Sequence, residues 1–227
     1  MVKTWRWFVS ISALMLVCAQ TVAGTHRVTG LAISISFSDT KPEYLHSVKA
    51  LDDFFNDPNY VDNPSNVASN SGSLWSYFHE ISNGKFSLNH EVAVYEAPHP
   101  AEYYLHRSVS AKRVKELLDE AVLYLRDEEG FDFSKLTRNE EGEIVELAIF
   151  YVCNAEPRDD DFIPGYAGGS AKDYETFKTR RFHIVPQRNF FKLPDGRRPL
   201  VLRTFAHEAA HAVMVWPDLY DVDGSSK

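Results

Sequence analysis

Residues 207–211 read His-Glu-Ala-Ala-His and lie in a stretch, residues 201–213, that is apolar nearly all round. A helix with apolar residues on every side is buried. Histidines four positions apart on a helix lie one above the other, about 5–6 Å between Cβ atoms. Both imidazoles can therefore reach one Zn²⁺ at about 2.0–2.1 Å from each nitrogen. Buried polar groups need partners, and a metal supplies one, so we predict a helix at residues 200–213 with His207 and His211 as metal ligands.

Glu208 lies between the two histidines, where it is placed to meet a water on the metal rather than the metal itself. Zinc lowers the pKa of water toward about 7, and a neighbouring carboxylate can take the proton during attack on a carbonyl. The motif thus predicts peptide hydrolysis with Glu208 as the general base. The alternative is a polar helix with two solvated histidines, which the apolar neighbours disfavour.

The N-terminus has the order of a secretory signal peptide: Lys3 and Arg6, an apolar run at residues 8–18, then small residues before Gly24. The run is shorter than the roughly 20 residues that span a membrane. We predict cleavage after Ala23 and a secreted single domain at residues 24–227, with an uncleaved N-terminal anchor as the alternative. Cys18 lacks the preceding small residues of a lipoprotein signal.

Charge restricts the expected partners. The formal net charge is −8, and loss of Lys3 and Arg6 with the signal would lower it to −10. An acidic surface disfavours nucleic acid and anionic membranes as partners, so a protein or peptide substrate is expected. Cys153 would be the only cysteine of the mature chain, and its apolar surroundings predict a buried, unreactive thiol.

Hydrophobic periodicity predicts the order of the remaining elements. Strands are expected at residues 29–37, 86–94, 143–152 and 182–185, the third of them central in a sheet. Helices are expected at residues 51–55, 74–81 and 110–126, the second capped by Ser73 and stopped by Asn83-Gly84. Residues 154–173 are expected to form an exposed loop. This order predicts an α/β domain with a mixed sheet.

Several separated segments together resemble the secreted zinc metallopeptidases of the immune inhibitor A type, in the metzincin group. The segments are residues 35–39 (ISFSD), 74–86 (LWSYFHEISNGKF), 130–133 (GFDF), 205–208 (FAHE) and 217–221 (PDLYD). The similarity runs from about residue 28 to the end and is loose between residues 155 and 200. It implies a metzincin-like domain whose zinc ligands are the two motif histidines and a downstream aspartate, with Glu208 as the base.

The chain departs from this family pattern after the second histidine. The family has glycine three residues after that histidine and aspartate six after it, but here Met214 and Pro217 hold those positions and Asp218 follows. Relative to that pattern, one residue is inserted in residues 213–216, so either the turn forms in another way or the helix runs further. The glycine allows a sharp left-handed exit from the helix, which costs a side chain about 1–2 kcal/mol. The resemblance implies Asp218 as third ligand; the alternative is a solvated loop carboxylate.

A second departure concerns the region below the metal. Metzincins place a methionine-containing turn there, and no methionine follows Met214. The expectation is a truncated chain that lacks the lower subdomain. Asp221 and Asp223 also match half of a Ca²⁺-loop signature, so Ca²⁺ is a second candidate cofactor.

Two functions follow as expectations. The first is a secreted zinc metalloendopeptidase whose substrate adds as a strand along residues 182–185. The second is a non-catalytic relative that binds zinc or protein with an incomplete site. A purely structural zinc site is disfavoured because such sites usually have four closed ligands, cysteines among them.

Overall fold

One five-stranded mixed sheet forms the centre of the molecule. The structure is a computed structural model, and it describes residues 25–61, 72–108, 110–154, 166–168, 172–174, 177–188 and 199–217. The strands of this sheet are β1 (His26–Phe37), β2 (Phe86–Ala97), β4 (Leu147–Tyr151), β5 (Tyr166–Gly168) and β8 (Phe182–Pro186). Their order is β2-β1-β4-β8-β5; all pairings are parallel except that of β5 with β8. The predicted α/β class and mixed sheet are confirmed.

A smaller three-stranded sheet lies beside the first. It contains β3 (Glu143–Ile144), β6 (Lys172–Asp173) and β7 (Lys178–Thr179), in the order β3-β7-β6. The strand predicted at residues 143–152 is therefore two strands in two sheets. The backbone changes partner between them, because Val145 N donates to Thr137 O whereas Glu146 O accepts from Leu31 N. The second of the two, β4, is central as predicted.

Helices cover both faces of the main sheet. They are α1 (Val48–Asn56), α2 (Leu74–Ile81), α3 (Ala101–Leu105), α4 (Ser110–Asp127) and α5 (Leu202–Met214). Helices α3 and α4 bury their apolar side chains against one face of β1, and α1, α2 and α5 bury theirs against the other. Because both faces are covered, the central strands are apolar on both sides, as β4 is at all five positions.

Local signals explain several helix ends. The Ser73 side chain accepts from Ser76 N at the start of α2, and Asn83 and Gly84 turn the chain with φ of 52° and 74°, as the sequence predicts. Helix α3 was not predicted, because five residues are too few to show a helical period. It begins after Pro100, and Asp39 Oδ1 accepts from Ala101 N.

Two expectations about residues 154–188 are wrong. Residues 166–168 and 172–173 of the predicted loop form β5 and β6. Strand β8, expected to be the edge that receives a substrate, pairs with β4 on one side and β5 on the other. Among the described strands, β5 is the terminal strand on this side of the sheet. A short strand without β-branched residues, Tyr-Ala-Gly, gives no period-two signal from which this edge could be inferred.

Candidate metal centre

Helix α5 is held on the sheet by one aromatic side chain and a row of alanines. Phe205 is fully buried, and its ring contacts those of Phe55, Phe150 and His183 at centroid distances of 4.9, 5.3 and 4.7 Å. Ala206, Ala209 and Ala212 are buried on the same helix. Their small size lets the backbone approach the sheet closely. The predicted burial of this helix is confirmed, and it fixes the position of the motif residues.

His207 and His211 face one another across one turn of α5. Their Nε2 atoms are 3.1 Å apart, and their rings are 4.6 Å apart at 86°. Two nitrogens bound to one tetrahedral ion at about 2.0–2.1 Å lie about 3.4 Å from each other. The observed separation is close to that value. The half-buried pair can therefore hold one metal ion with only a small adjustment.

Glu208 belongs to the same group. The group consists of one ligand atom from each of three side chains, His207, Glu208 and His211, and these atoms lie within 4.8 Å of one another. Glu208 is 6% exposed, although it carries a carboxylate. Within the part of the chain that the structure describes, this is the only group of three such side chains with metal-binding spacing. The three motif residues come together as the sequence predicts.

The orientation of His211 is set by the backbone that follows α5. Its Nδ1 lies 2.5 Å from the carbonyl oxygen of Trp216. A carbonyl oxygen only accepts hydrogen bonds, so Nδ1 carries the proton and donates it. In the neutral form of this tautomer the Nε2 atom of His211 carries a lone pair on the side of His207, which is the form that a metal ligand requires.

At the exit from α5 the helix runs one residue further, which is one of the two outcomes that the spacing left open. Met214 is the last helical residue, and the left-handed position is Val215, with φ 57° and ψ 30°. The strained residue is therefore one position later than Met214, where the family spacing placed it. A positive φ is a clear outlier for a β-branched residue. The one-residue shift proposed between His211 and Asp218 is thus taken up at Val215, three residues before Asp218, the same interval that separates glycine and aspartate in the family pattern.

Several predicted residues lie outside the described ones. They are Asp218, Asp221 and Asp223, together with the predicted signal peptide at residues 1–23. Asp218 as third metal ligand and the Ca²⁺ loop remain predictions. Cys153 is buried, as predicted.

A second polar cluster lies in the core below α5, and sequence analysis missed it. Glu146 Oε1 is 2.7 Å from His183 Nε2 and 3.1 Å from His90 Nε2. All three side chains are almost completely buried, and Phe205 packs on both imidazoles. The cluster joins β2 and β8 to the start of β4. Its only sequence signal is one histidine or glutamate inside each of three predicted strands.

Burial and hydrogen bonding shift the pKa of Glu146 in opposite directions. Burial alone would raise the pKa of Glu146, but the adjacent His183 and His90 outweigh it and lower that pKa to about 2. Burial lowers the pKa of His90 despite the nearby carboxylate. Glu146 is therefore ionised in the folded protein, and its charge is held by two imidazole N–H groups.

No protein-family model and no curated protein matches this chain. Among the described residues, none of the helices has both the length and the apolar character needed to cross a membrane.

Proposed function

We propose that the protein is a secreted zinc metalloendopeptidase of metzincin type, similar to the immune inhibitor A peptidases. The observation that carries this proposal is the 3.1 Å separation of the His207 and His211 Nε2 atoms, with Glu208 in the same cluster. A group of two histidines and a glutamate suits zinc, which binds imidazole nitrogen and carboxylate oxygen. A histidine pair on a solvated helix would have no reason to be held in this arrangement.

Each residue of the centre has a distinct role in this proposal. His207 and His211 hold the metal, and Asp218 completes the protein ligands. When bound, zinc supplies Lewis acidity that polarises a carbonyl and lowers the pKa of water. Glu208 takes the proton from the attacking water and returns it to the leaving amine. Its low exposure keeps bulk water from competing for the carboxylate.

The sheet edge beside α5 suits a substrate in an extended conformation. Among the strands that the structure describes, β5 is the last in the order and pairs with β8, and α5 lies next to both strands. An extended segment can add to such an edge through main-chain hydrogen bonds. We therefore place the substrate along β5 instead of β8. Recognition through the main chain fits a protein substrate without a strict sequence requirement.

The test of catalysis is hydrolysis of an unfolded protein by the zinc-loaded chain. Glu208→Gln keeps the size of the side chain but removes the base, so activity should fall by about 10² or more while zinc content is unchanged. Glu80→Gln makes the same change at an exposed glutamate on α2 and should be neutral. Full activity in Glu208→Gln would refute the role of Glu208.

One observation favours a second function, a non-catalytic zinc-binding relative. The strained Val215 shows that the helix exit is built differently from the family pattern, and a third ligand displaced by this change would leave a site that binds but does not turn over. Zinc binding by the parent chain with no hydrolysis of any unfolded protein would support this function over the first.

A further inference from the structure

The turn that leaves α5 has two backbone restrictions in succession. Val215 is left-handed, and Trp216 precedes Pro217, which disfavours helical backbone at Trp216. Between these restrictions lies the carbonyl group of Trp216, whose oxygen is 2.5 Å from His211 Nδ1. Strained backbone of this kind persists where the surrounding structure requires it, and it is concentrated at functional sites.

The hydrogen bond fixes where the protons are on both histidines. Because the Trp216 oxygen accepts from His211 Nδ1, the Nε2 atom of neutral His211 has only a lone pair. His207 Nε2 lies 3.1 Å from it. Two lone pairs at this distance repel each other unless a proton or a cation lies between them. Without a metal, His207 must therefore donate from its own Nε2.

We propose that residues 215–217 form a carbonyl clamp, which holds His211 in the Nδ1–H form before any metal binds. Trp216 is then a positioning residue that acts through its main chain. It follows that metal binding changes the tautomer of His207, from Nε2–H to Nδ1–H, and leaves that of His211 unchanged. This inference rests on the proposed metal site for the change at His207, but the state of His211 in the metal-free chain is independent of it.

The direct test is nitrogen NMR of the full chain labelled with ¹⁵N-histidine, at about pH 8, where an ordinary imidazole is neutral. His211→Ala and His207→Ala assign the signals. We expect His211 as Nδ1–H with and without ZnCl₂, and His207 to change from Nε2–H to Nδ1–H when ZnCl₂ is added. His211 in the Nε2–H form, or exchanging between both forms, in the metal-free chain overturns the clamp.

Variants of the turn test its effect on affinity. Val215→Pro cannot adopt φ of 57°, so it moves the carbonyl and should weaken Zn²⁺ binding about 10–100-fold, the usual effect of losing a group that orients a ligand. Val215→Gly adopts this φ without strain and should bind Zn²⁺ equally or more tightly. Leu45→Ala changes an exposed apolar side chain outside α5 and the clamp; it is the control and should keep the parent's affinity and tautomer.

The outcomes separate the clamp from the proposed function. If Val215→Pro loses the circular dichroism signal of its helices, Pro217→Gly is used in its place. This second variant frees the same carbonyl without changing α5. Parent-like affinity and an Nδ1–H His211 in the clamp-breaking variant overturn the clamp and leave the metal site intact. A parent chain that binds no Zn²⁺ overturns the proposed function, while the His211 signal of that metal-free chain still decides the clamp.

Discussion

Gly30 of β1 lies against Glu146, so replacing it with alanine directly perturbs the buried His90–Glu146–His183 cluster. A Cβ at Gly30 would lie 2.2 Å from Glu146 Cγ, 2.8 Å from Glu146 Cβ and 3.2 Å from His90 Cδ2. Such distances require Glu146 to move. Its carboxylate cannot move freely because Oε1 is bonded to both imidazoles.

The cost of Gly30→Ala follows from these contacts. Overpacking a core costs about 1–3 kcal/mol, and losing one hydrogen bond to a charged group costs about 1.5–3 kcal/mol. We expect a loss of about 3–5 kcal/mol in the free energy of unfolding. At roughly 2–4 °C per kcal/mol for a domain of this size, the Tm measured by circular dichroism at pH 7 should fall by about 10 °C.

Two comparisons make this prediction specific. Gly130→Ala adds a methyl group where no atom lies within 4 Å, at φ of +62°, and should cost only the left-handed strain of about 1–2 kcal/mol. Gly30→Ala combined with Glu146→Ala should destabilise by less than the two single changes together, because both act on one cluster. A Tm within about 2 °C of the parent, or full additivity, would refute the reasoning.

Three further predictions concern pH, packing and the third ligand. The folded pKa of Glu146, about 2, is below its ordinary value of 4.5, so the stability it contributes is present above pH 4.5 and lost as the pH falls from 4.5 to 2. The lowered pKa of His90 also makes the folded protein lose stability as the pH falls below 6.5, the ordinary value of that pKa. In urea titrations across this range, the free energy of unfolding of Glu146→Gln should fall less steeply below pH 4.5 than that of the parent. An equal slope in the two proteins would contradict this role of Glu146. Phe205→Ala should cost about 3–5 kcal/mol in urea denaturation, whereas a loss below about 1 kcal/mol would show that α5 does not depend on this ring. Asp218→Ala should weaken zinc strongly in a zinc titration while Asp221→Ala and Asp223→Ala do not; an unchanged affinity in Asp218→Ala would place the third ligand elsewhere.

The parts of the fold that the sequence predicts are those with a strong local signal. Helices α2 and α4 and strands β1 and β2 show clear periods, and a histidine pair at i and i+4 needs only one helix to come together. Phe205 and its neighbours also identify α5 as buried. In these cases the chemistry depends on residues that are close in the chain.

The parts that could not be predicted depend on contacts between distant residues. Glu146, His90 and His183 lie on three strands, and only the register of the sheet brings them together. Pairing also decides that β5 and not β8 is the terminal one of the described strands. At the end of α5, the sequence left open whether the helix continues past Met214, and the left-handed residue is Val215.

Zinc bound per chain is the measurement that tests the metal centre most directly. The full chain and a His207→Ala/His211→Ala double variant would be equilibrated with ZnCl₂, dialysed and analysed for metal and protein. The geometry of the two Nε2 atoms predicts about one Zn²⁺ per parent chain and none in the double variant. Equal zinc in both chains, or none in the parent, would contradict a metal centre at these residues.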